Sequence, residues 1–137
     1  MKDAKRAAIA ETSLFRGCST DDVAWLARVS DMLDVGAGST LAIEGRKVRE
    51  FIVIVEGVAS GDGVLYGPGS CIGGVELLDG SPYGPTIETL SDARILVFGP
   101  REFRGLLTRV PSIAKTLLRD LSGRLRVQDE RNLRAVS

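Results

Sequence analysis

The spacing of apolar positions changes character twice along the chain, from helical to strand-like and back to helical. Asp3 to Thr12 is dense in Ala, Lys, Arg and Glu and predicts a helix. LFRGCSTDDVAWLARV predicts a second. Ser19 or Thr20 caps it, and Asp21 and Asp22 sit in a first turn that favours negative charge. Val23, Leu26 and Ala27 form its short apolar face, with Trp25 at the flank. From Met32 to Phe98 the runs shorten to strands separated by turn residues. Met32–Val35 and Thr40–Ile43 flank Gly36-Ala37-Gly38, and FIVIVEG is a continuous apolar run of the kind that fills a barrel wall. Gly61-Asp62-Gly63 reads as a hairpin turn, and Ile87–Leu90 and Arg94–Phe98 supply two later strands.

The helical period returns after Pro100, where Phe103, Leu106 and Leu107 mark a short helix. Pro111 opens a longer one, as proline at a first helical position commonly does. On a helical wheel Ile113, Leu117, Leu118, Leu121 and Leu125 share one arc, with Lys115, Arg119, Arg126 and Arg134 roughly opposite. The expected fold class is α+β: an antiparallel, jelly-roll-like β-roll of about eight strands, with N-terminal helices and a C-terminal lid helix. At 137 residues this is one domain, divided into N-terminal helices (1–30), the roll (31–99) and C-terminal helices (100–137).

Charge refines the picture. Residues 1–100 carry nine Lys and Arg against fourteen Asp and Glu, and residues 101–137 carry nine against four. The net charge of zero therefore hides an acidic body with a basic helical tail. Such a tail docks on its own domain, on an acidic partner or on nucleic acid. No aromatic residue is interleaved with its arginines, and too few residues follow Arg126 for a helix-turn-helix, so no specific nucleic-acid contact is expected. The candidate partner surface is Arg119, Arg124, Leu125 and Arg126, for a protein partner or a homodimer.

The side-chain inventory argues against catalysis. There is no His, which excludes a Ser-His-Asp arrangement and a histidine metal site. Cys18 and Cys71 are two unpaired cysteines with no metal-ligand spacing, and Cys71 beside Ile72 reads as a buried small hydrophobe. Asp21 and Asp22 are capping residues rather than a catalytic pair. Neither a secretory leader nor a bilayer-spanning run of ~20 apolar residues is visible, which points to the cytoplasm and free thiols.

Four segments carry a family resemblance: LFRGCSTDDVAWLA, GSTLAIEGRKVREFIVIVEGVAS, YGPGSCIG and, overlapping its end, IGGVELLDGSPYGPTIETL. In this order they resemble the cyclic nucleotide-binding domain family, over roughly Leu14 to Arg126. The resemblance implies the β-roll, a short helix within a phosphate-binding cassette at 72–90, and a C-terminal lid helix. It also implies a cassette Glu on the ribose 2′-hydroxyl and an Arg on the cyclic phosphate. Here those positions fall on Gly74 and Tyr83.

What remains of the cradle implied by the resemblance is Gly73, Gly74 and Val75 for backbone donors, with Glu76, Tyr83, Gly84 and Thr86 around it. Glu76 either reaches a ribose hydroxyl after a register change or is exposed or self-paired, the second reading being preferred. Tyr83 either closes the vacated pocket or stacks on a planar ligand; Gly84 and Pro85, which also depart from the family pattern, favour closure. Losing one charge-assisted contact removes ~1.5–3 kcal/mol, so losing both costs on the order of 10²-fold to 10⁴-fold in affinity. The expected function is a stand-alone, non-catalytic regulatory or protein-interaction domain with no cofactor and weak or absent cAMP or cGMP binding. The alternative is a genuine cAMP or cGMP sensor that grips the phosphate with backbone amides.

Overall fold

A computed structural model describes residues 2–122. Its helices are α1 (Lys2–Glu11), α2 (Thr20–Val29), α3 (Gly74–Asp79), α4 (Pro100–Arg109) and α5, described from 111 to 122. Its strands are β1 (Asp31–Val35), β2 (Thr40–Ala42), β3 (Phe51–Glu56), β4 (Ala59–Gly61), β5 (Val64–Tyr66), β6 (Cys71–Ile72), β7 (Ile87–Thr89) and β8 (Ala93–Phe98). They pair antiparallel in two four-stranded sheets, ordered β1-β8-β3-β6 and β2-β7-β4-β5. This is the α+β roll expected from the pattern.

The apolar run of β3 follows from its place in the sheet. Side chains alternate across a strand, so a strand buried on both faces reads as continuously hydrophobic. Phe51 and Val53 enter one core, with Leu96 and Phe98 of β8 and the helical residues Ile9, Leu26, Phe103 and Leu106. Ile52 and Ile54 enter the other, inside the roll, with Ile72, Ile87 and Ile95. β6 divides in the same way, Cys71 to the helical core and Ile72 to the roll.

Local chemistry sets the turns and caps. Ser19 caps α2, its Oγ accepting from the Asp22 N–H at 3.1 Å, so of the two candidate caps the serine serves. The β4–β5 hairpin turns on Asp62 and Gly63, with φ of 51° and 77°, the doubly left-handed geometry that suits a two-residue hairpin. α2 and α4 are joined by Trp25, with the Arg109 guanidinium 4.6 Å above its ring and 3.7 Å from Asp22.

The C-terminal stripe departs from expectation. Ile113 and Leu117, one turn apart, are buried, whereas Leu118 and Leu121 are 65% and 39% exposed. Adjacent positions on a helix point about 100° apart. Docking Ile113 and Leu117 onto the helical core therefore turns Leu118 away, and the predicted arc is wider than the contact. Arg124, Leu125 and Arg126 of the candidate partner surface, and Arg134, lie outside the described residues. Arg119 is exposed. No helix among the described residues is long and apolar enough to cross a membrane.

Candidate functional site

The cassette begins where β6 ends. Gly73 takes φ 92° as the N-cap of α3, a left-handed conformation natural to glycine. A side chain there would also begin 2.6 Å from the Glu50 carbonyl oxygen. The next glycine is required by packing instead: a Cβ on Gly74 would lie 2.4 Å from Leu117 Cδ2 and 3.0 Å from Phe51 Cε1. The place of the family's glutamate thus faces the helical core, and α5 covers it. Val75 is buried in the same core.

Tyr83 occupies the other side. It is only 9% exposed and belongs to the roll core with Ala42, Val48, Ile72 and Ile87. Its hydroxyl points toward Gly73, 3.6 Å from where a Cβ would stand. Burial, then the Glu50 and Glu76 carboxylates, push its phenol above the usual tyrosine value, so the ring stays neutral. Glu76 is 4% exposed, which corrects the exposed half of the preferred reading and leaves its self-paired half standing. It sits in the first turn of α3, close enough to Tyr83 to act on its ionisation.

The segment leading from α3 to β7 is stitched to the β2–β3 loop. The Gly45 N–H donates to the Tyr83 carbonyl at 2.9 Å, and the Tyr83 N–H donates to the Arg46 carbonyl at 3.0 Å. Thr86 Oγ1 accepts from the Glu44 N–H at 3.0 Å, so this hydroxyl serves the loop. Gly84 is exposed with open space about it.

The structure therefore brings Gly73, Glu76 and Tyr83 together, turns Gly74 and Val75 toward the helical core, and leaves Gly84 and Thr86 at the rim. Beyond the residues expected from the sequence, the loop of Arg46, Lys47 and Arg49 borders Tyr83 along an open cavity of about 460 Å³. Three cations in four residues of an otherwise acidic segment were the available signal.

The family model of the cyclic nucleotide-binding domain matches residues 32–110, more than half of the chain. Among solved structures, cAMP-bound PfPKA-R matches with a TM-score of 0.79 and 19% identity, over 96% of this chain and 47% of that one. The catabolite activator protein of Thermus thermophilus matches at 0.67 and 22% identity, over 86% of this chain and 60% of that one. A triple mutant of the regulatory subunit of a cAMP-independent protein kinase A from Trypanosoma brucei, bound to cAMP in its A site, matches at 0.73 and 15% identity. That match covers 83% of this chain and 46% of the other. Comparison with curated proteins gives no match. At these identities the solved structures share the fold, and this chain spans about half to three-fifths of their length. On the family match, the chain belongs to the cyclic nucleotide-binding domain family.

Proposed function

We propose that this domain is a non-catalytic regulatory or protein-interaction module in which cyclic nucleotide binding is weak or absent. The observation that carries the reading is Tyr83, a buried ring packed inside the roll where the family's phosphate-binding arginine falls. A phenol offers one hydroxyl and no charge in place of a bidentate guanidinium. Leu117 adds to the effect by occupying the space beside Gly74, where the family's glutamate falls. The Trypanosoma brucei subunit comes from a cAMP-independent protein kinase A, and its cAMP-bound mutant gains an arginine while losing a glutamate, which is in line with the weight placed on the arginine alone.

Titration calorimetry with cAMP and with cGMP tests the reading, at protein concentrations that detect a dissociation constant of about 100 μM. No heat is expected from either nucleotide. One-site heat overturns the reading and favours the alternative sensor, which the buried Glu76 near Tyr83 supports; a folded Gly74→Pro variant that loses the heat places it at the cassette. Interaction is assigned to α5, whose exposed Leu118 and Leu121 accompany exposed Lys115 and Arg119. Leu118→Glu/Leu121→Glu is expected to leave the domain folded and to abolish partner or dimer binding, since both side chains are exposed. Unchanged oligomer mass and pull-down in that variant count against the assignment.

A further inference from the structure

The cavity beside Tyr83 is lined on its solvent side by Arg46, Lys47 and Arg49. We propose that it is a binding site for a small, multiply charged phosphate compound, held by these three side chains of the β2–β3 loop. Its position follows from the packing of the loop. Val48 is 6% exposed and belongs to the roll core, so it anchors the loop while its neighbours project outward, and all three cations are exposed. The backbone bonds of Gly45 and Arg46 with Tyr83, and the Glu44 N–H donated to the Thr86 hydroxyl, hold the loop against the segment between α3 and β7.

These three residues supply a third of the nine Lys and Arg in residues 1–100. No ion pair engages any of them among the described residues. Of the acids, Glu50 lines the cavity and Glu44 lies at the loop's start, leaving the lining with three positive charges against one negative. Thr40 and Tyr83 also line the cavity. Two guanidinium forks and an ammonium match the oxygens of a diphosphate. A volume of about 460 Å³ is in the range of small-molecule sites. The surrounding body carries a balance of −5 over residues 1–100, which repels a long polyanion and favours a compact ligand.

The test is calorimetry with inorganic pyrophosphate at low salt, on the full chain and on Arg46→Ala/Arg49→Ala, with circular dichroism to verify folding. One-site binding weakened at least tenfold by the double substitution, and reduced by salt, is the expected result. Absence of heat up to millimolar pyrophosphate overturns the proposal. Equal binding by the folded double variant overturns it too, by placing the anion elsewhere, the cassette included. A single-stranded oligonucleotide is titrated in parallel, and tighter binding of it than of pyrophosphate, lost in the same variant, rejects the small-ligand assignment. The outcome is independent of cAMP and cGMP binding, so this proposal and the reading of the cassette fail separately.

Discussion

Gly74 illustrates how one missing side chain is reused. With a Cβ 2.4 Å from Leu117 Cδ2, the residue is a notch into which α5 seats, and Leu117 is itself 5% exposed. Gly74→Ala is expected to cost about 1–3 kcal/mol through overpacking, and Leu117→Ala about 2–5 kcal/mol through the cavity it leaves. Because the two act on one contact, the double variant should lose less than the sum in urea denaturation; additive losses would show that Gly74 and Leu117 are not coupled. Cys71 gives a pH prediction. Burial foremost, then Asp120, pushes its thiol from the ordinary 9.0 up to about 12, and the buried phenol of Tyr83 is raised in the same direction. The folded state therefore keeps protons that the unfolded chain releases, and their stabilising effect is complete below about pH 9 and lost as pH climbs toward 12. Melting temperature should fall between pH 9 and 11, less steeply in Cys71→Ala, and an equal slope in that variant would refute the assignment. In native protein near neutral pH, a thiol reagent should modify half-buried Cys18 well before buried Cys71.

At the scale of elements, the junction of α2 and α4 sets two effects against each other. Gly105 lies inside α4, where alanine would gain about 1 kcal/mol of helix propensity. Its Cβ, however, would stand 2.8 Å from Trp25 Cζ2 and 2.9 Å from Cη2, against a planar ring with the Arg109 guanidinium above it. A ring held in this way yields less than a flexible chain end, and overpacking costs about 1–3 kcal/mol. Gly105→Ala is thus expected to be destabilising by about 1 kcal/mol net; a raised urea midpoint would mean that the indole swings aside freely. The Arg109–Asp22 pair beside it is partly exposed and contributes less than ~1 kcal/mol. Shape, more than charge, sets how closely these helices approach.

At the scale of the molecule, α5 closes the helical core over the cassette. Ile113 and Leu117 each contribute about 1.5–3 kcal/mol by burial. Truncation after Val110 should therefore lower stability by about 3–6 kcal/mol, a large share of the ~5–15 kcal/mol typical of a domain. Truncation after Leu125 retains both residues and should leave the urea midpoint nearly unchanged. Equal midpoints for the two truncations would show that α5 does not hold the core. The groove beside Tyr83 also belongs to this scale, since its two walls come from a loop and a cassette more than thirty residues apart in sequence.

Much of this architecture is legible in the residues alone because it depends on local rules. A period of two separates strands from helices, Asp62-Gly63 turns a hairpin, Ser19 caps a helix, and the continuous run of β3 announces a strand covered on both faces. The glycines and apolar frame of the cassette were equally readable, as were the replacements at positions 74 and 83. Tertiary structure alone decided where residues 74 and 83 sit and what packs against them. A side chain's burial depends on what arrives from distant segments: Leu117 beside Gly74, Arg46 beside Tyr83, Tyr83 beside Glu76. The same holds for Glu76, whose sequence neighbours gave no sign of burial, and for Leu118, which the wheel placed with the core. Periodicity assigns a face to each residue, but packing decides how much of that face is covered.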